Sequence, residues 1–548
     1  MNTRFSCLDR DEISQKLNEQ IFDILIIGGG ITGCGIALDA ASRGMKVALI
    51  EMQDFASGTS GRSTKLVHGG LRYLKQFELG MVADMGKERA IVYENGPHVT
   101  IPEPMLLPIY KNGTFGKFST SIGLKIYDYL AKVNKSERRI MLSADETLMK
   151  IPMLKRDGLL GSGYYVEYRT DDARLTIEVL KKSVSLGVTA INYTKAVGFK
   201  YHDNKVCGVE VHDLIKNTEY VIEAKKIVNA AGPWVDEIRS LNNSKIGKKL
   251  KLTKGVHIVV NNSVLPLRQA IYFDTPDKRM IFAIPREGKV YIGTTDTFYD
   301  GDIANPRMTN EDKEYLLKAI NYIFQNKLVK DSDIESSWAG LRPLIYETGK
   351  NPSEISRKDE IWQSETGLIS IAGGKLTGYR KMAIEIVDKI YEQLYIENWA
   401  IFDNSKTKNM TISGGDVGGS ENIEVYHSLM ARVGEEYGLT FNESLTLAKF
   451  YGSNCEIVFE FFSDSHDYIL PSTIYCSVMY SIYYEMVTKP IDYFLRRTGS
   501  MYFEIDSVLK YKDEIIKLMS NVLHWSEAEK EKYLMEVEEE IYISKSAI

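Results

Sequence analysis

The 548-residue sequence is poor in cysteine and carries no strongly basic region. Its five cysteines are scattered, and none forms a Cys-X-X-Cys pair, which excludes a zinc ribbon or a redox-active dithiol and suits a reducing compartment. The formal net charge is −6, so nucleic acid is not expected as a partner. These absences favour an ordinary globular protein over a metal-binding module or a nucleic-acid-binding protein.

Long hydrophobic runs are missing as well. Residues 1–20 mix charged with isolated apolar residues, so no signal peptide is predicted. The most apolar stretch, residues 21–41, contains Asp23, Asp39 and several glycines, which makes it too polar to span a bilayer. We therefore expect a cytoplasmic protein, attached at most to the inner face of the cell membrane.

A β–α–β pattern follows the N-terminal segment. The apolar run at residues 23–27 predicts a strand, and apolar residues at helical spacing predict a helix from Ile31 to about Arg43. Residues 46–50 predict the next strand, which Glu51 follows. A glycine-rich turn in this context, with an acidic residue after the second strand, is typical of a dinucleotide-binding site.

Each part of that turn has a physical task. Gly28 allows the tight turn, Gly30 lets the backbone approach a pyrophosphate, and Gly33 lets helix and strand pack closely. The helix N-terminus attracts the phosphates, and Glu51 accepts hydrogen bonds from ribose hydroxyls. Since flavoproteins that take electrons from NAD(P)H need two such units and only one is found, the sequence predicts FAD reduced directly by a substrate.

Further along the sequence, the predicted secondary structure changes twice. Short β-like runs separated by turns fill about residues 254–295, with a hairpin turn predicted at Arg286–Gly288. A strand at residues 368–372 leads into a second glycine turn and a helix. Beyond a polar boundary at residues 403–420 the pattern is helical, and Ser526 begins a capping box.

Five segments carry a family resemblance. They are residues 57–73, 164–172, 231–236, 339–344 and 373–377. Together they closely resemble FAD-dependent glycerol-3-phosphate dehydrogenases, which belong to the D-amino-acid-oxidase-like flavoproteins. The segments His68–Tyr73 and Tyr164–Asp172 are specific to this family, beyond the shared flavin fold.

The resemblance implies an α/β fold in which a Rossmann-like FAD-binding domain is interleaved with a β-sheet substrate domain, followed by an all-α C-terminal domain. The expected boundaries are residues 20–403 for the interleaved part, with substrate segments at roughly 75–165 and 245–355, and 404–548 for the helices. It also implies that sn-glycerol 3-phosphate loses a hydride from C2 to FAD, giving dihydroxyacetone phosphate, and that a quinone then accepts the electrons.

The same resemblance places His68 and Arg72 against flavin and substrate, and Arg342 and Lys375 at the substrate. The predicted FAD-binding set is Gly28, Gly30, Gly33, Glu51, Thr59, Ser60, Ser63, Thr64, Lys65, Ala231, Gly232, Gly373, Gly374, Lys375, Leu376 and Thr377.

Residue chemistry alone leaves alternatives open at these positions. Arginine suits a phosphate because its planar fork makes two parallel hydrogen bonds, but Arg342 could equally form a buried ion pair, and Arg72 could be a surface residue. Oxidising an alcohol needs a base for the hydroxyl proton, for which His68 and His257 are both candidates. Lys375, in a glycine turn predicted to start a helix, could stabilise reduced flavin or face the substrate.

Three other functions compete with the dehydrogenase. An oxidase would pass electrons to oxygen and release hydrogen peroxide, although oxidase relatives often carry an insertion in the interval between Arg342 and Lys375 that is short here. An amino-acid oxidase would use a different substrate. A regulator would bind flavin without turnover.

A quinone acceptor requires some surface that faces the membrane. Candidates are the basic cluster formed by Lys245, Lys248, Lys249, Lys251 and Lys254, and the mixed apolar and basic segment Phe118–Leu142. Either could instead be an ordinary charged loop. The sequence leaves open whether the chain forms a homodimer and what the C-terminal helices do.

Overall fold

The computed structural model describes residues 3–68, 79–114, 116, 138–325, 328–347 and 359–548. Its strands are β1 (Ile21–Ile27), β2 (Val47–Ile50), β3 (Leu66–Val67), β4 (Thr100–Tyr110), β5 (Ile140–Leu142), β6 (Leu159–Thr170), β7 (Thr189–Ile191), β8 (Thr194–His202), β9 (Lys205–Asp213), β10 (Thr218–Asn229), β11 (Lys248–Asn261), β12 (Ala270–Asp274), β13 (Met280–Arg286), β14 (Lys289–Gly293), β15 (Thr297–Phe298), β16 (Ile334–Glu347), β17 (Glu360–Gln363) and β18 (Ile369–Ala372).

The helices are α1 (Arg10–Glu19), α2 (Ile31–Ser42), α3 (Leu79–Asn95), α4 (Ala144–Lys150), α5 (Asp172–Ser185), α6 (Val235–Leu241), α7 (Asn310–Ile323), α8 (Tyr379–Asn398), α9 (Ile423–Glu436), α10 (Phe441–Tyr451), α11 (Cys455–Glu460), α12 (Ser472–Tyr484), α13 (Pro490–Asp492), α14 (Ser500–Phe503), α15 (Ile505–Leu523) and α16 (Glu527–Lys545).

The first sheet has a parallel centre. Strands β18, β10, β1, β2 and β7 lie side by side in that order and run parallel, with β17 antiparallel at one edge. Strands β8 and β9 form a hairpin, and β9 pairs antiparallel with the first part of β10. The predicted β1–α2–β2 unit is present, and every residue of β2 is buried, as expected for a central parallel strand.

The second sheet is mostly antiparallel. Its order is β15, β11, β14, β13, β12, β4, β6, β3, with β16 paired to β11 and β5 paired to β6. The turn predicted at Arg286–Gly288 joins β13 to β14, and Glu287 and Gly288 both have positive φ angles, 48° and 80°. Two consecutive positive φ values are what a type I′ hairpin turn requires.

The chain passes between the two sheets repeatedly. Strands β1, β2, β7–β10, β17 and β18 belong to the first sheet, whereas β3–β6 and β11–β16 belong to the second. After α8 the described elements are helices only, and Ser526 forms the predicted capping box at the start of α16. The predicted class, an α/β fold of two interleaved sheets followed by a helical region, is therefore confirmed.

The helical region packs against the second sheet. Trp338 of β16 and Tyr291 of β14 share one buried cluster with Met501, Tyr502 and Phe503 of α14. Within the described ranges, no helix is both long enough and apolar enough to cross a membrane.

Candidate active site

The glycine loop is held by close backbone packing. Gly28 has a φ of +118°, and a Cβ atom there would lie 2.5 Å from the Ala230 carbonyl oxygen. A Cβ atom on Gly33 would lie 1.9 Å from the carbonyl oxygen of Gly28. Both distances are far below van der Waals contact, so the loop, α2 and the end of β10 can approach only because these residues lack side chains.

Glu51 closes one side of the loop. Its two carboxylate oxygens accept hydrogen bonds from the backbone N–H groups of Gly29, at 2.7 Å, and Gln53, at 2.8 Å. Burial raises the pKa of Glu51, and these two donors partly offset that rise. Since each carboxylate oxygen has two lone pairs, each keeps one for a ligand hydroxyl.

A cavity of about 220 Å³ opens at the carboxyl ends of β1, β2 and β10. Parallel sheets of this type place their ligands at that edge. Of the predicted FAD-binding set, the residues that line the cavity are Gly28, Gly30, Glu51, Thr59, Ser60, Ser63, Ala231, Gly232, Gly373, Gly374, Lys375 and Leu376.

The other four residues of the predicted FAD-binding set lie behind the residues that line the cavity. Gly33 packs under the loop, and Thr377 donates a hydrogen bond from Oγ1 to the carbonyl oxygen of His68 at 3.2 Å. Thr64 Oγ1 lies 3.1 Å from an imidazole nitrogen of His257. Lys65 is buried in an ion pair with Asp172, at 2.5 Å. Lys65 therefore supports the loop from within the protein.

Sequence reasoning missed several cavity residues. The most extended group is Thr194–Ala196 at the start of β8, which no motif marks. The N–H group of Thr194 donates to the carbonyl oxygen of Glu51 at 2.7 Å, so β8 is held beside the acidic residue that the motif does identify. Trp234, Glu237 and neighbouring α6 residues line the cavity too, just beyond the predicted Ala231-Gly232 turn.

Next to the cavity lies a second constellation, here called the β11–β16 face, formed by Gly255, His257, Trp338, Gly340 and Arg342. In the antiparallel register His257 lies opposite Trp338, and Gly255 lies opposite Gly340. Residues paired in this way project to the same side of a sheet. A Cβ atom on Gly255 would lie 2.3 Å from the Arg342 guanidinium, so this glycine makes room for the arginine.

Arg342 is held at the rim of this face. Its Nη2 donates to Thr294 Oγ1 at 3.0 Å, and Nη1 donates to the carbonyl oxygen of Thr295 at 3.4 Å and lies 3.5 Å from Asp296. The side chain is 35% exposed, so these contacts orient a guanidinium that is only partly buried. Thr294, Thr295 and Asp296 were not singled out by the sequence, since each is a common strand-end residue.

His257 is stacked and neutral. Its ring lies 4.7 Å from the Trp338 ring at an interplanar angle of 11°. Trp338 is itself oriented by a hydrogen bond from its indole N–H to the Ser63 carbonyl oxygen, at 3.1 Å. Burial, followed by the positive charges of Arg342 and Lys65, holds the pKa of His257 well below its ordinary value. An uncharged imidazole is the form that can accept a proton.

His68 and Lys375 are two further residues of the predicted site. Burial, with the charges of Lys375 and Arg89, lowers the pKa of His68 to about 3. The helix after the second glycine turn begins at Tyr379, and residues 376–378 form a 3-10 turn before it. Lys375 therefore precedes a 3-10 turn. Arg72 lies outside the described residues.

The basic cluster proposed for lipid contact is not one continuous surface. Lys254 lies in the part of β11 that is buried, and it pairs with Asp312 at 2.5 Å. Lys248 pairs with Glu360 at 2.7 Å, whereas Lys245 and Lys249 are exposed. Of the second candidate, Phe118–Leu142, residues 118–137 lie outside the described residues.

The cavity residues fit a dinucleotide. Because the loop residues are glycines, only backbone groups lie at the N-terminus of α2, where a pyrophosphate can approach. Glu51 keeps lone pairs that can accept hydrogen bonds from ribose hydroxyls. The Lys375 ammonium is buried beside the glycine turn, where it can face an anionic ring or substrate.

Comparisons with known proteins point the same way. A family model described as FAD dependent oxidoreductase matches residues 23–379, and one described as C-terminal domain of alpha-glycerophosphate oxidase matches residues 405–530. The chain is 59% identical over 537 residues to the aerobic glycerol-3-phosphate dehydrogenase of Staphylococcus epidermidis, covering 97% of this chain and 96% of that protein. It is 58% identical over 537 residues to the enzyme of the same name from Bacillus subtilis, covering 97% of each.

A solved structure extends the agreement to three dimensions. The glycerol-3-phosphate dehydrogenase from Bacillus halodurans, complexed with FAD, superposes with a TM-score of 0.87 at 46% identity and covers 99% of both chains. Membership of an FAD-dependent family confirms FAD as the predicted cofactor. On matches that span nearly its whole length, the chain belongs to the FAD-dependent glycerol-3-phosphate dehydrogenases, a branch of the FAD-dependent oxidoreductase family.

Proposed function

We propose that this protein oxidises sn-glycerol 3-phosphate to dihydroxyacetone phosphate and passes the electrons to a quinone. One observation supports it above the others: on the β11–β16 face, Arg342 is fixed beside the neutral imidazole of His257 and next to the cavity that fits FAD. A small alcohol that carries a phosphate needs both groups, a cation for the phosphate and a base for the hydroxyl proton.

The residues divide the work as follows. Arg342 binds the phosphate, because its guanidinium is oriented by Thr294 and Thr295 and its side chain is 35% exposed. His257 accepts the proton of the C2 hydroxyl, and Trp338 keeps its ring in one orientation. FAD, when bound, supplies the ring that takes up the hydride. Lys375 adds positive charge between the cavity and His68.

His68 is the second candidate for the base. Burial lowers the pKa of His68 as it lowers that of His257, so the choice between them rests on geometry. We favour His257 because it lies on the same sheet face as Arg342. Separate His257→Gln and His68→Gln variants distinguish the two. The variant that lacks the true base should lose most of the kcat while FAD stays bound.

An anaerobic titration of the visible flavin spectrum tests the substrate. Glycerol 3-phosphate should bleach the bound flavin, whereas D-amino acids and sarcosine should leave it oxidised. Bleaching by an amino acid would support the amino-acid oxidase, and no bleaching by any of them would support a binding protein without turnover.

The electron acceptor needs a separate assay. One family model takes its name from an alpha-glycerophosphate oxidase, which makes oxygen the competing acceptor. The short interval between Arg342 and Lys375 favours the dehydrogenase. Peroxide release should be slow compared with reduction of a quinone-like dye, and equal rates would exclude the quinone assignment.

Quinones dissolve in the bilayer, so we also propose that the protein is cytoplasmic and binds peripherally to the inner face of the cell membrane. Co-sedimentation with vesicles that contain anionic lipid tests this, and Lys245→Glu with Lys249→Glu asks whether the exposed part of the basic cluster takes part. Protein that stays in the supernatant would remove the membrane from the proposal.

A further inference from the structure

The C-terminal helical region contacts the cofactor cavity indirectly, through a buried aspartate. The described residues that line the cavity all precede residue 377. Asp54, in the loop after β2, is completely buried and accepts hydrogen bonds from Arg496 Nε at 2.6 Å and from Arg497 Nη1 and Nη2 at 2.7 and 3.0 Å. Asn192 donates a fourth hydrogen bond to it at 2.9 Å.

Both arginines are themselves held in place. Arg497 donates from Nε and Nη2 to the carbonyl oxygen of Glu485, at 3.1 and 2.7 Å. Arg496 Nη2 donates to Asp492 at 2.6 Å, and Asp492 also accepts from the Tyr193 hydroxyl at 2.5 Å. The two guanidinium groups are therefore fixed within the helical region, and they present their remaining donors to Asp54.

The loop that carries Asp54 forms part of the cavity wall. Met52 on one side and Ser57–Ser60 on the other line the cavity. Ser57 Oγ donates to the carbonyl oxygen of Asp54 at 2.6 Å, and the N–H group of Ala56 donates to the carbonyl oxygen of Gly29 at 3.1 Å. A displacement of Asp54 would therefore move residues on both sides of it and disturb the glycine loop.

The charge balance makes this contact strong. Burial alone would raise the pKa of Asp54, but Arg497 and Arg496 outweigh burial and lower it to about 2, so the carboxylate is ionised at neutral pH. Removing one partner of such a pair leaves an uncompensated buried charge, which is costly.

We propose that Arg496 and Arg497 are positioning residues of the FAD site, through which the C-terminal helical region holds the cavity loop by Asp54. The affinity for FAD then depends on residues that never touch the cofactor. The helical region is in this respect part of the cofactor site as well as a neighbour of the second sheet.

The affinity of the full-length apoprotein for FAD tests the proposal. Arg497→Gln removes the charge and most of the donors, so its Kd for FAD, measured by flavin fluorescence, should rise about tenfold, or about 1.4 kcal/mol. Arg497→Lys keeps a point charge without the planar fork and should give a smaller rise. The increase in melting temperature on adding FAD should shrink in the same order.

Lys254→Gln is the matched control. It also breaks a buried ion pair, between β11 of the second sheet and Asp312 of α7, and neither of these two residues lines the cavity. It should lower the melting temperature and leave the Kd for FAD unchanged. If Arg497→Gln behaves like this control, with a native Kd, the proposal is overturned. If Arg497→Gln is not recovered folded, Arg497→Lys decides: a raised Kd supports the proposal and a native Kd overturns it.

Discussion

The glycine loop and the β11–β16 face lie next to each other, but the loop acts through missing side chains and the face through fixed ones. At Gly33 a single added carbon would meet backbone at 1.9 Å, and backbone cannot move aside. On the face, each of three side chains is held by contacts with its neighbours: His257, Trp338 and Arg342. When one of the three is replaced, the contacts of the other two remain in part. The loop should therefore fail abruptly when changed, and the face by degrees.

Gly33→Ala should have the largest effect. Because its Cβ atom would overlap the Gly28 carbonyl oxygen, α2 must move away from the loop, at a cost of about 3 kcal/mol or more. We expect purified protein without bound flavin, seen as loss of the visible absorbance. Gly80→Ala is the control, since a Cβ atom there meets none of the described residues within 4 Å, and that variant should retain its FAD. A yellow Gly33→Ala protein would contradict the steric argument.

Arg342→Ala should come next, with a different signature. Truncating one partner of a charge-assisted contact costs about 2–5 kcal/mol, so KM for glycerol 3-phosphate should rise roughly a hundredfold. FAD should remain bound, because Arg342 lies on the sheet face and the glycine loop is untouched. Steady-state kinetics measure the KM, and the flavin spectrum shows whether FAD remains bound. Arg279→Ala, at an exposed turn of the same sheet, should change neither. Unchanged KM in Arg342→Ala would remove that residue from the site.

Trp338→Phe should have a smaller effect that lies mainly in kcat. Phenylalanine keeps a ring against His257 but loses the indole hydrogen bond to Ser63, so the imidazole gains freedom to tilt. We expect kcat to fall about tenfold, near 1.4 kcal/mol in the barrier, with KM little changed. A rise in KM alone would mean that Trp338 shapes the substrate pocket and does not orient the base.

The two regions also differ in how far the sequence could predict them. The loop lies within one β–α–β unit, where spacing, glycines and Glu51 are close in sequence, so its geometry follows from local rules. The face depends on the register of β11 with β16, and no local rule specifies which residues meet across strands so distant in the chain. Family resemblance supplied Arg342, whereas Trp338 and Thr294 emerged only from the fold.

The same limit applies to the C-terminal region. Its helices were predicted from periodicity and the capping box, but nothing in the sequence links Arg497 to Asp54. Arginines in a helical segment are usually solvent-exposed, and their burial follows from tertiary packing alone.

The smallest expected effect is a shift in the titration of His257, which separates the electrostatics of the face from its packing. Burial and the charges of Arg342 and Lys65 hold its pKa well below 6.5, so its NMR signal should not titrate between about pH 8 and pH 6. In Arg342→Gln one of those charges is gone, and the pKa should rise towards 6.5; in the Arg279→Gln control it should not. Below about pH 6.5 the unfolded chain binds a proton at this histidine, whereas the folded protein does not. The histidine's contribution to the free energy of unfolding should therefore fall as the pH drops below about 6.5. In Arg342→Gln this fall should be smaller. A wild-type His257 that titrates near 6.5 would show that the face is solvated and that burial, Arg342 and Lys65 do not lower its pKa.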